Sequence, residues 1–187
     1  MNNSEARTLP GRTSRSRLRT LVAIGAIAAL ATVLSGCSIV DSIFPAQASR
    51  SAHTGKVTSS GQSAVTTLET GDCFDDSIKT GKGGTVSDVT LIPCGKLHDK
   101  EAYAVIPLGG DTYPGAAEVR KRAISVCNAA FATYVGIPIT KSSLSIGWLT
   151  PTEENWSADD NSVTCLVELW AGDNVKPVVG SLKGSHR

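Results

Sequence analysis

The sequence predicts an α+β domain in which one main helix packs on a small antiparallel sheet of about five strands. Several short stretches carry apolar residues at every second position and are bounded by turn residues, as strands of antiparallel sheets are. One longer stretch carries apolar residues at three- and four-residue steps, which is typical of an amphipathic helix. Four cysteines, Cys73, Cys94, Cys127 and Cys165, lie within these stretches. An even number of cysteines in an exported domain predicts two disulfides.

Residues 1–36 have the parts of a secretion signal. Arginines at positions 7, 12, 15, 17 and 19 precede an apolar run over residues 21–34, and this order is typical of a signal peptide. The run is shorter than the ~17–25 residues that a membrane-spanning helix needs. It ends in Leu34-Ser35-Gly36-Cys37, which resembles the lipobox of bacterial lipoproteins, where the chain is cut before the cysteine and the cysteine is acylated. We therefore expect a lipid on Cys37 that holds the protein on the extracytoplasmic face of the cell membrane.

Residues 37–67 are rich in Ser, Thr, Ala and Gly and have no sustained apolar period. Such tracts bury too little apolar surface to fold, so we expect a disordered tether followed by a domain over residues 68–184. Without the signal's five Arg and one Glu, the 18 basic and 17 acidic residues become 13 and 16, a net charge near −3. This balance argues against a nucleic-acid partner.

The first three predicted strands cover residues 67–74, 86–94 and 101–108. The third has an expected inner face of Ala102, Ala104, Ile106 and Leu108. The Gly- and Lys-rich residues 80–84 lead into a β-patterned run rather than a helix, so they do not form a phosphate-binding loop. Because the loop between the first two strands is about as long as a hairpin can tolerate, the preferred pairing joins Cys73 to Cys94.

The predicted helix opens at Tyr113-Pro114-Gly115 and ends before Gly136, since Pro favours a first helical turn and Gly a helix end. Cys127 belongs to its apolar stripe. Strands over residues 143–150 and 162–170 follow, and we expect the tail from residue 175 to be part strand and part frayed. Cys165 shares a strand face with three aliphatic residues, so the second preferred pairing is Cys127 to Cys165. The helix stripe consists of Ala116, Val119, Ala123, Val126, Cys127, Ala130, Phe131 and Tyr134.

Candidate ligand contacts are the pair His98 and Asp99 and the tryptophans Trp156 and Trp170. An imidazole beside a carboxylate can act as a base near neutral pH, but local turn hydrogen bonds are the simpler role for this pair. Aromatic rings outside the core offer flat contact area to a ligand, and Trp156 lies in a polar loop.

No metal, cofactor or catalytic residue is predicted. The cysteine spacings are too wide and irregular for a zinc finger or ribbon. The acidic residues Asp72, Asp75, Asp76, Asp159 and Asp160 lack the spacing of a calcium loop. A nucleophile elbow is also absent from the sequence. The remaining enzyme hypothesis is an envelope hydrolase that uses His98 and its acidic neighbours.

A set of short motifs follows a defined order through residues 68–184. These motifs are Gly71-Asp72-Cys73-Phe74, 89–94, His98-Asp99-x-Glu101-x-Tyr103, Tyr113-Pro114-Gly115, Cys127, Phe131, Tyr134-Val135-Gly136, Pro151-Thr152, Trp156, Val163-Thr164-Cys165 and Gly180-Ser181-Leu182-Lys183-Gly184. Their order and spacing resemble the septum formation domain of actinobacterial envelope proteins. The resemblance implies a link to division septa and supplies no catalytic residues.

The chain departs from that family pattern at two places. Leu97 stands where members tend to have Pro, and Asp159-Asp160-Asn161 stands where they tend to have Gly-Asp-Arg. Neither change touches the cysteines. We therefore expect a membrane-anchored, non-catalytic binding or scaffolding lipoprotein, whose partner is another envelope protein or a cell-wall polymer.

Overall fold

The computed structural model describes residues 46–75, 85–156 and 161–187. The predicted signal peptide, Cys37, the loop over residues 80–84 and the acidic residues Asp76, Asp159 and Asp160 lie outside these ranges. Within the residues described, no helix has the length and apolar character needed to cross a membrane.

The centre of the fold is a seven-stranded antiparallel sheet. Its strands are β3 (Gly61–Ala64), β4 (Cys73–Asp75), β5 (Asp88–Ile92), β7 (Lys100–Pro107), β8 (Leu144–Leu149), β9 (Ser162–Ala171) and β10 (Asn174–Val175). They lie in the order β10-β9-β7-β4-β5-β3, and β8 also pairs with β9. The α+β class is confirmed, but the sheet is larger than the five strands predicted, because the added strands β3 and β10 are too short to show an alternating pattern.

Two small ribbons accompany the sheet. The strand β1 (Ser49–Arg50) pairs with β2 (Val57–Ser59), and β6 (Leu97–His98) pairs with β11 (Val178–Val179). Both ribbons are antiparallel. The first lies wholly in the segment predicted to be a tether.

The helix α1 (Ala116–Val135) covers one face of the sheet. Gly136 ends it in the left-handed conformation, with φ of 95°, and donates its N–H to the carbonyl of Ala132. Pro114 precedes the N-cap Gly115, so it lies just before the first turn rather than within it. The residues buried beneath the helix are Val119, Ala123, Cys127, Phe131, Tyr134 and Val135.

Both preferred disulfides are present. Cys73 is bonded to Cys94 with their Cα atoms 5.2 Å apart, and Cys127 is bonded to Cys165 with their Cα atoms 5.4 Å apart. The second bond ties the buried face of α1 to the central strand β9, as the stripe and the strand phase predicted.

A β-bulge in β7 overturns one predicted strand face. Ala102 pairs with Leu166 and Ala104 with Cys165, so Tyr103 is an extra residue in the ladder. The bulge changes the side of the sheet that the strand presents. Ala104 therefore packs on the helix side, whereas Ala102 belongs to the cluster on the opposite face.

The predicted tether is part of the fold from residue 46 onward. The strand β3 pairs with β5 along its whole length, and Val57 and Val65 pack on a second apolar cluster, on the sheet face opposite α1. Gly61 allows the chain to pass very close to itself, because a Cβ atom there would lie 2.3 Å from the backbone nitrogen of Ala48. The boundary at residue 68 is corrected: sparse apolar residues can cover a sheet face without any regular period. The buried members of this second cluster are Leu68, Phe74, Val89, Leu91, Ala102 and Leu166.

The C-terminal segment is docked rather than frayed. The backbone N–H of Gly184 donates to the carbonyl of Tyr134 at 2.8 Å, and that of His186 donates to the carbonyl of Val135 at 3.0 Å. Leu182 is buried in the helix-side core. These contacts satisfy carbonyls at the end of α1 that the helix leaves without partners.

Candidate functional site

A cavity of about 530 Å³ opens where distant parts of the chain meet. Its walls come from residues 54–57, 69–72 and 93–95, from Tyr134 near the end of α1, and from Ser181 and Lys183. Cys94 places the first disulfide in the wall. The site therefore combines the N-terminal segment, the sheet, the helix and the C-terminal segment.

Glu101 lies beside this cavity and is completely buried. Its Oε1 atom accepts hydrogen bonds from the hydroxyls of Tyr134 and Ser181, each at 2.6 Å, and its Oε2 atom accepts one from the backbone N–H of Leu182 at 2.6 Å. Hydrogen bonds to an ionised carboxylate are roughly twice as strong as neutral ones. One side chain thus joins β7, α1 and the C-terminal segment.

Tyr134 is held as the neutral donor in this group. Burial raises the pKa of its phenol above the ordinary value, and the hydrogen bond and negative charge of Glu101 raise it further. Lys183 lies over the same ring, with its Nζ atom 6.0 Å from the ring centroid. Tyr134 therefore donates to Glu101 across the neutral pH range and is poorly suited to accept a proton there.

Arg50 and Asp72 form a second polar group at the cavity. The guanidinium donates to both carboxylate oxygens, at 2.5 and 2.6 Å, which is the bidentate geometry that Arg forms with carboxylates. Asp72 is only 3% exposed and also accepts the backbone N–H of Glu69 at 2.7 Å. This ion pair fastens the N-terminal segment to the domain. The sequence does not indicate this ion pair, because Arg50 lies in the Ser- and Thr-rich segment predicted to be a tether.

His98 is fully buried, which corrects its prediction as a ligand contact. Its Nδ1 atom is hydrogen-bonded to the carbonyl of Lys96 at 2.9 Å, while the backbone N–H of Asp99 donates to Asp75 at 2.9 Å. Such local hydrogen bonds in a turn are the simpler role that the sequence predicts for His98 and Asp99. The Nε2 atom of His98 is buried and has no hydrogen-bond partner among the residues described.

The two candidate tryptophans differ in their surroundings. Trp156 is half-buried, donates its Nε1–H to the carbonyl of Gly110 at 3.0 Å, and meets the ring of Tyr113 edge-on with centroids 5.5 Å apart. It therefore holds two loops together. Trp170 is 43% exposed near the end of β9 and remains open to contact. In the described part of the chain, no hydrogen bond or ring contact joins His98, Trp156 and Trp170.

One group in the described ranges has the composition of a metal site. Cys73, Cys94 and Glu101 place their ligand atoms within 4.8 Å of one another. The two sulfur atoms are bonded to each other, whereas the ligand that binds a metal is the free thiolate. While the disulfide persists, the group therefore supports the fold and offers no thiolate.

Comparison with known proteins identifies the chain at the level of its family. Neither the curated proteins nor the solved structures contain a match to it. The family model described as septum formation matches residues 37–165, which is more than half of the 187 residues. The chain belongs to the septum formation family.

Proposed function

We propose that this protein is a lipoprotein, anchored through Cys37 to the extracytoplasmic face of the cell membrane, that acts as a non-catalytic binding or scaffolding domain in septum formation. Its partner is another envelope protein or a cell-wall polymer. The proposal rests on one observation. The buried polar side chains around the cavity form hydrogen bonds and ion pairs within the chain itself. Glu101 and Asp72 hold separate segments of the chain together.

The burial of His98 supports binding over catalysis. A general base must reach the proton that it removes, directly or through one water. The His98 side chain has no exposed surface, so an enzyme mechanism based on it requires the fold to open. Family membership supports the same choice, because the matching model describes septum formation rather than a reaction.

The short length of chain between Cys37 and the first described residue supports a position close to the membrane. The first described residue, Ala46, comes nine steps after Cys37 along the chain (46 − 37 = 9). A chain extends by at most about 3.6 Å per residue, so this connection spans no more than about 32 Å. A lipid on Cys37 would therefore keep the domain beside the bilayer, within reach of membrane proteins and the adjoining cell wall.

Replacing Cys37 with alanine tests the anchor. We expect the Cys37→Ala chain to lose all incorporation of a labelled fatty acid and to leave the membrane fraction, because no thiol remains at the acylation position. Fatty-acid labelling in the producing cells, followed by fractionation, measures both effects. Ser38→Ala is the matched control and should retain label and membrane association. Label retained by Cys37→Ala would contradict the proposal.

A further inference from the structure

We propose that the free edge of β8 is a self-pairing surface, through which two copies of this protein form a two-fold antiparallel dimer. The proposal concerns the sheet edge and does not use the cavity, while the expected effect of the membrane on the dimer rests on the proposed lipid on Cys37. It rests on three features: the open backbone of β8, its lack of edge protection, and the charges at its two ends.

The strand β8 has six residues and pairs only with β9 among the residues described. Its ladder with β9 is regular over all six positions, from Leu144 opposite Leu169 to Leu149 opposite Thr164. In a strand of this kind every second residue directs its N–H and C=O away from its neighbour. No other backbone hydrogen bond involves residues 145–149 in the described structure, so these outward groups remain available to a further strand.

The sheet edge formed by β3 differs from the β8 edge, because a neighbouring segment of the chain bonds to it. Gln47 forms a parallel bridge to Gln62, the N–H of Ala48 donates to Gln62, and the N–H of Gln62 donates to Ala46. The chain therefore caps its own β3 edge.

Proteins usually protect open strand edges with charges, proline or bulges. The sequence of β8 is Leu-Ser-Ile-Gly-Trp-Leu, which contains no charged residue and no proline, and its register with β9 has no bulge. The strand is thus suited to pairing in a way that the protected β3 edge is not.

The charges that flank β8 select a second copy as the partner. Lys141 lies three residues before the strand, and Glu153 and Glu154 follow it; all three are exposed. Within the described ranges none of the three forms an ion pair. Antiparallel pairing of two β8 strands brings Lys141 of each copy toward the acidic pair of the other. A two-fold interface requires such self-complementarity, and β8 has it.

The contact is small, so we expect the dimer to depend on the membrane. A pair of six-residue strands is small beside the ~1,200–2,000 Å² interfaces of stable complexes. Tethering raises the effective concentration of a weakly binding pair. Copies confined to one bilayer would therefore associate at amounts that leave them monomeric when dispersed.

The test uses the full lipoprotein in liposomes, treated with a zero-length carbodiimide that joins lysine amines to carboxylates. We expect a dimer band whose cross-linked peptides join Lys141 to Glu153 or Glu154 of another copy. Mass spectrometry of a mixture of isotopically light and heavy protein distinguishes links between copies from links within one copy. Arg120→Glu, a charge reversal on an exposed position of α1, is the matched control and should leave the dimer unchanged.

Charge-reversal variants give the decisive test. Their readout is the strength of association between copies rather than the yield of cross-links. Lys141→Glu alone, and Glu153→Lys with Glu154→Lys, should each weaken the dimer roughly tenfold, because like charges then meet at both ends. Mixing the two variants should restore it, and so should the triple variant. These exposed substitutions leave the core intact. Copies that stay monomeric at every surface density, or variants that fail to restore association when mixed, would overturn the proposal.

Discussion

Replacing Glu101 with alanine is expected to lower the free energy of unfolding by about 3–5 kcal/mol, because two buried donors and the exposed hydroxyl of Ser181 lose their common acceptor. The hydroxyls of Tyr134 and Ser181 and the N–H of Leu182 all point to this carboxylate. Each buried donor that is left without an acceptor lowers the stability by about 1–3 kcal/mol. Water from the adjoining cavity would offset part of this loss by accepting hydrogen bonds. Chemical denaturation of the full chain measures the change.

Glu101→Gln is the matched control for shape. Its amide oxygen can still accept from Leu182, while its NH₂ group can donate to the two hydroxyls, which are able to accept as well as donate. We expect it to cost about 1–2 kcal/mol, clearly less than alanine. An alanine variant with an unchanged denaturation midpoint would show that Glu101 does not join the three segments.

Removing the disulfide between Cys127 and Cys165 is expected to cost about 4 kcal/mol in the chain-entropy model, since it closes a loop with a sequence separation of 38. Both residues are fully buried, so replacing them with alanine also leaves space beneath α1. Removing the bond between Cys73 and Cys94, with a separation of 21, should cost about 3 kcal/mol.

Denaturation of the two double-alanine variants under non-reducing conditions tests this ranking. The Cys127→Ala, Cys165→Ala chain should unfold at the lower denaturant concentration, because it loses the longer closed loop and the packing under the helix. The reverse order would mean that the disulfide in the cavity wall stabilises the fold more than the disulfide beneath α1.

The main elements were predictable because their signals are local. The three- and four-residue steps from Val119 to Tyr134 identified the buried side of α1 and placed Cys127 on it. Alternation in β9 placed Cys165 on the face that meets the helix. With both thiols assigned to one interface, the pairing followed.

The second apolar face of the sheet was not predictable in the same way. Its cover comes from isolated residues such as Val57 and Val65, which have no period in a Ser- and Thr-rich segment. The bulge at Tyr103 also reverses a strand face without any glycine or proline to indicate it. Burial on both faces of the sheet therefore became evident only with the chain in three dimensions.

The cavity depends on contacts that are distant in sequence. Glu101 bonds to Leu182 across a separation of 81 residues, and Arg50 to Asp72 across 22. In the sequence Glu101 is notable only as part of a short motif, since a charged residue at the start of a strand usually faces solvent. Glu101 lies within β7, directly before its apolar residues, and this position does not distinguish a buried carboxylate from an exposed one.

The most direct test of the functional proposal is the frequency of septa in cells that carry His98→Asn in place of the natural chain. The asparagine amide can keep the hydrogen bond that Nδ1 makes to Lys96, while the imidazole is lost. For a non-catalytic domain we expect normal septation, with Cys37→Ala defective in the same cells. Septation lost in His98→Asn, with an unchanged unfolding midpoint and membrane association, would contradict the account and favour an enzyme.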